Sequence, residues 1–131
     1  KEGSSGYAAL ARLQLAALKV QAGDIPGAVA AYEEMAADSS LDGVMRDLGA
    51  LLAVMHGLDS MDMDAAAKRL ETLAKDGNPW RHMAKELQAV IAFKKGDVAK
   101  AKQLYTALAD DAASPPALRG RAAEMLATIG G

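Results

Sequence analysis

The residues suited to acid–base or metal chemistry are few and scattered. His56 and His82 are the only histidines among 131 residues, and cysteine is absent. A zinc site needs several convergent donors, and neither histidine has a third ligand near it at that spacing. His56 stands beside Gly57 at a predicted helix C-terminus, where the backbone dipole favours a cation, so its expected role is structural. His82 falls in the first turn of a predicted helix and is expected to face solvent. Glu33-Glu34 and Asp110-Asp111 read as solvated helix-surface charge, and there is no glycine-rich phosphate loop or Ser/His/Asp arrangement. The expectation is therefore no enzyme, no metal and no cofactor.

Charge excludes a second class of function. Fifteen basic and 17 acidic residues leave a net charge of −2, without the clustered basic excess of a nucleic-acid binder. Lys94, Lys95, Lys100 and Lys102 do straddle one turn, but acids are interleaved and only five aromatics are present to stack bases. Arg119 and Arg121, in the last predicted helix, are expected to pair with Asp110, Asp111 or Glu124. With 51% hydrophobic and 24% charged residues, the chain is globular rather than disordered. The longest apolar run, near Leu51 to Met55, is far too short to cross a bilayer. Lys1 to Gly6 reads as a linker or tag remnant, and the abrupt start suggests an anchoring segment removed upstream.

The elements that position these residues are helices. Thirty alanines against five aromatics favour closely approaching helices over sheets. Gly23, Gly57, Gly77, Gly96 and Gly130 each close a run of helix formers, as left-handed C-caps do. Asp24, Asp62 and Asp97 are N-cap candidates, and Asn78-Pro79 and Ser114-Pro115 read as N-cap followed by proline at the first helical position. These signals predict helices over roughly 6–22, 24–38, 41–56, 62–76, 79–95, 97–112 and 115–129.

Those helices repeat. Gly23, Gly57 and Gly96 lie 34 and 39 residues apart, and each ends the first helix of a pair. Counted from the capping aspartates, the second helices carry Ala28, Ala66 and Ala101, then Tyr32, Leu70 and Tyr105, then Met35, Leu73 and Leu108. Ala16, Ala50 and Ala89 precede the glycines at one common distance. Small residues let paired helices approach, and the large ones fill the space alongside. The pattern predicts an all-α, right-handed solenoid of three helix–turn–helix repeats near the tetratricopeptide length, at about 7–40, 41–78 and 79–113, with a capping helix over 115–129. The middle repeat inserts Leu58-Asp59-Ser60-Met61, where Met61 and Met63 read as loop packing or as an adaptable contact surface.

Such repeats present a concave face built from their first helices. On the glycine register that face comprises Leu10, Leu13, Ala17 and Val20, then Val44, Asp47, Leu51 and Val54, then Met83, Glu86, Val90 and Phe93. Nine of these twelve are larger apolar residues, which suits a protein partner's hydrophobic or amphipathic segment. Two other readings stay open: the residues are internal packing, or the apolar face pairs with itself in a homodimer. On the groove reading, Leu51→Glu with Val90→Glu abolishes partner capture without unfolding the chain.

Gly77-Asn78-Pro79-Trp80-Arg81, Ala84 to Leu87, Lys95-Gly96-Asp97 and Leu118-Arg119-Gly120-Arg121-Ala122-Ala123-Glu124-Met125-Leu126 resemble the C-terminal half of alphaproteobacterial tetratricopeptide-like proteins. These are similar to the YfgM-like family, ancillary subunits of the bacterial Sec translocon, and the resemblance runs from about Tyr7 onward. It implies an N-terminal membrane anchor, a repeat domain on the periplasmic side of the inner membrane, and partners among the translocon and a periplasmic folding factor. It carries over no catalytic residues and no short binding motif. Trp80, in the Asn-Pro-Trp-Arg segment, is expected to pack against the preceding repeat.

Overall fold

The computed structural model describes the backbone of residues 2–130 and the side chains of residues 6–130. It is all-α: α1 (Glu2–Gln21), α2 (Ile25–Ala37), α3 (Gly43–Gly57), α4 (Met63–Leu73), α5 (Arg81–Lys94), α6 (Val98–Asp110) and α7 (Pro116–Ile129), with a 3-10 turn at Leu58–Ser60. No strand occurs among the described residues. The backbone of Glu2 to Gly6 is helical, so the segment set aside as linker belongs to α1; Lys1 lies outside the described residues.

Punctuation explains most boundaries. Gly23, Gly77, Gly96 and Gly130 have φ between +84° and +89°, the left-handed conformation in which a Cβ is strained. Gly57 departs from that expectation: its φ is −103°. A Cβ there would sit 2.9 Å from Val29, so this glycine serves a close helix contact instead of a reversal. Asp24 and Asp97 accept from the amides of Gly27 and Lys100, at 3.0 and 3.1 Å, as N-caps do. Asn78 instead accepts from the Trp80 amide at 2.8 Å, which turns the chain before α5 and delays the helix to Arg81. Trp80 itself is half-buried at that N-cap position. At α7 the cap is Pro115, with Pro116 opening the helix, one residue later than the expected Ser114-Pro115 pair.

The chain forms two compact units that divide after Ala66, inside α4 and so inside the expected second repeat. In the first unit, α2 packs on α1 and, most extensively, on α3. Ala9, Ala16, Ala28, Tyr32, Met35, Leu41 and Ala53 form its buried cluster. Glycine allows the α2–α3 approach: a Cβ on Gly49 would lie 2.8 Å from both Met35 Cβ and the Tyr32 carbonyl oxygen. In the second unit α6 packs on α5 and α7, and Ala89, Ala92, Ala101, Tyr105, Leu108, Leu118 and Ala122 are its cluster. The expected second-helix register holds throughout. Ala28, Tyr32 and Met35, Ala66, Leu70 and Leu73, and Ala101, Tyr105 and Leu108 are all buried.

Candidate protein-interaction groove between α5 and α7

Helix α5 carries Glu86, Val90 and Phe93 at i, i+4 and i+7, one face of the helix. Helix α7 carries Arg121, Glu124, Met125 and Thr128 at i, i+3, i+4 and i+7. Leu118 and Ala122, on another face of α7, are buried in the cluster with α5 and α6, which sets α7 beside α5. Between the two rows lies a groove of about 670 Å³, lined by these seven residues with Lys94 and Tyr105. Its apolar surface comes from Val90, Phe93 and Met125, with Phe93 42% exposed.

An ion pair spans the groove. The Arg121 guanidinium donates to both carboxylate oxygens of Glu86, each at 2.9 Å. Those bonds hold the guanidinium above its ordinary pKa. Burial raises the Tyr105 hydroxyl, and the Glu86 carboxylate raises it further. Because the Arg121 side chain is 53% exposed, the pair contributes under about 1 kcal/mol to folding. Its stronger effect is geometric, since a two-pronged contact fixes where α7 lies along α5. An apolar channel edged by charges of both signs suits an amphipathic protein segment better than a small ionic ligand.

The twelve residues read from the sequence as one concave face have different fates. Glu86, Val90 and Phe93 line the α5–α7 groove. Met83, from the same helix, packs against the second unit's core. Leu13 and Val20 pack against the first unit's core, whereas Leu10, Ala17 and Val44 are exposed and Asp47 is half-buried. Leu51 and Val54 are a correction: both are 0% exposed. Helix α3 buries Gly49, Leu51, Ala53, Val54 and Gly57, which span more than one face, so an apolar stripe there marks core. Replacing Leu51 with glutamate would break the fold, not probe binding.

Other assignments shift as well. His82 is buried, not solvent-facing, and its Nε2 lies 3.3 Å from Asp111 Oδ2. Asp111 also accepts from the Ala113 amide at 2.9 Å, and its carbonyl accepts from the Ser114 amide at 3.0 Å. It thereby organises the α6–α7 turn that places the groove's second wall. Asp38 does the same for the α2–α3 turn, accepting from the Ser40 amide and hydroxyl and pairing with Arg12 at 2.7 Å. Arg121 pairs with Glu86 rather than the expected acids, and the buried Nε of Arg119 has no hydrogen-bond partner. His56 stacks on Tyr32 with ring centroids 5.6 Å apart. Met61 lines an apolar hollow of about 460 Å³ with Ile25, Pro26, Val29, Ala30, Gly57 and Ser60. Among the described residues no three His, Cys, Asp or Glu side chains gather to hold a metal, and no helix is long and apolar enough to cross a membrane.

Helix hairpins joined by glycine reversals and closed by alanine define a helical-repeat protein. The chain belongs to the tetratricopeptide repeat-like domain family, whose model matches residues 1–123. No curated protein and no solved structure matches the chain. Members of such repeat families are generally non-catalytic protein-interaction modules.

Proposed function

We propose that the chain is an adaptor domain that takes an apolar or amphipathic segment of a protein partner into the α5–α7 groove. The observation that carries this reading is the groove itself: Val90, Phe93 and Met125 leave apolar surface open to solvent between two charged margins. Removing such surface from water stabilises a complex by about 25 cal/mol per Å² before the costs of association. The family membership supports a protein partner. The resemblance of the Asn-Pro-Trp-Arg and Arg-Gly-Arg-Ala-Ala-Glu-Met segments to YfgM-like proteins supports a place on the periplasmic side of the inner membrane, with the Sec translocon or a periplasmic folding factor as partner.

The test compares the chain with Val90→Glu/Phe93→Glu in binding to a purified translocon and to a purified folding factor. Retention by the parent, and loss in a variant of unchanged helicity, is the expected result. Equal retention by both moves the site away from this groove. Retention by neither refutes the secretion partners.

A further inference from the structure

Among the described residues, four of the seven large hydrophobic residues left exposed lie on one helix: Tyr7 (78%), Leu10 (56%), Leu15 (59%) and Leu18 (58%) of α1. The opposite face of α1 already serves the core through Ala9, Ala16, Leu13 and Val20. At about 100° per residue, Tyr7 and Leu18 project within about 20° of each other, and Leu10 and Leu15 flank them by about 70° on either side. Arg12 and Lys19 are the only charged residues from Gly3 to Gln21. Both lie off this face, and Arg12 is drawn to Asp38.

The face is symmetric about its own midpoint. Positions 7 and 18, 10 and 15, and 11 and 14 all centre on the point between Arg12 and Leu13. We propose that this face pairs with the same face of a second copy, the two α1 helices running antiparallel about a two-fold axis at that midpoint. Tyr7 of one copy then lies level with Leu18 of the other, and Leu10 level with Leu15. This is the self-complementary contact that two-fold symmetry requires, and no like charges meet across it. The exposed fractions of these side chains, with Ala11 and the uncharged, exposed Gln14 between them, remove roughly 500–600 Å² per copy from water. The total of about 1,000–1,200 Å² reaches the lower range of specific interfaces, the size of a weak and reversible dimer.

Sedimentation of the chain from about 1 μM to about 1 mM tests the pairing. The expected mass rises from the 13.6 kDa of one chain to twice that value. Leu15→Glu with Leu18→Glu, both at exposed positions, leaves helicity unchanged and raises the dissociation constant more than about tenfold. The register has its own test, since no native cysteine interferes. Tyr7→Cys with Leu18→Cys forms a covalent dimer on oxidation, whereas Leu18→Cys alone does not. Within one copy the two positions are about 16 Å apart along the helix, too far for a disulfide. A chain that stays monomeric throughout, a dimer indifferent to the two glutamates, or crosslinking by Leu18→Cys alone overturns the proposal.

Discussion

Gly49→Ala and Gly120→Ala make the same chemical change in helix interiors, and the structure assigns them opposite signs. Alanine in place of helical glycine is worth up to about 1 kcal/mol from backbone entropy alone. At Gly120 in α7 no other group lies within 4 Å of the added methyl, so the gain is realised and the melting temperature rises by about 3–4 °C. At Gly49 the methyl meets Met35 Cβ and the Tyr32 carbonyl oxygen at 2.8 Å, about 0.7 Å inside an ordinary carbon contact. Neither atom is the free end of a side chain, so α2 itself has to move. Overpacking of this kind costs roughly 1–3 kcal/mol, and the rigidity of both neighbours puts this case near the upper end. Offset by the propensity gain, the net loss is about 1–2 kcal/mol, or about 3–8 °C. Thermal and urea unfolding followed by far-ultraviolet circular dichroism reads both variants. If Gly49→Ala is as stable as the parent, the α2–α3 approach described here is wrong.

Two further outcomes follow from burial and charge. Leu51→Ala should cost about 2–5 kcal/mol because the side chain is fully enclosed, and Leu51→Glu should unfold the first unit; a folded Leu51→Glu protein that loses only partner binding would restore this residue to the groove. Asp38 and Asp111 are both held below the ordinary value of 3.8, chiefly by hydrogen bonds from Ser40 and from the Ala113 amide respectively. A depressed carboxyl contributes stability that is present above pH 3.8 and lost as pH falls through its lower folded value. Asp38→Asn with Asp111→Asn should therefore flatten the acid side of the stability–pH curve while leaving its neutral shape alone, and an unchanged acid limb would refute these contacts as its source.

Much of the architecture was legible because local chemistry and long-range packing agree. Asp24 and Asp97 cap as side-chain type dictates, and the alanine–aromatic–aliphatic spacing that follows them reports buried helix faces directly. Gly57 was misread because a glycine after a run of helix formers signals a left-handed cap and a close approach equally, and only the position of Val29 separates the two. The groove was legible in part. The spacing places Glu86, Val90 and Phe93 on one face of α5, but the α7 residues that line the groove with them come from a helix the repeat register treats as mere cover. Leu51 and Val54 failed because a first-helix stripe is surface only where nothing covers it, and periodicity carries no record of what does. One signal was available and unused: each capping aspartate is followed fourteen residues later by another, at Asp38, Asp76 and Asp111. In the first and third pairs that second aspartate ties the turn after the second helix.

The composition connects these observations. A core built from alanine and glycine contacts brings helix axes close and leaves little room for large side chains between them, so a large apolar residue is either a filler beside a small one or stays outside. Tyr32, Tyr105, Met35 and Leu108 are fillers, all nearly inaccessible. Tyr7, Leu10, Leu15, Leu18 and Phe93 stand outside, and fold stability does not require them there, since burial in the monomer repays none of their exposure. Their distribution is also uneven. Four share one helix face without a charge among them, and the fifth lines a groove whose margins are charged. The proposed pairing of the uncharged face rests on its internal two-fold register, because a face without charges carries no electrostatic selection of partners. A groove edged by Glu86, Arg121, Glu124 and Lys94 can instead discriminate among partners by where their charges fall. The two surfaces use no residue in common, so the proposed self-association and the proposed partner capture can be tested independently of each other.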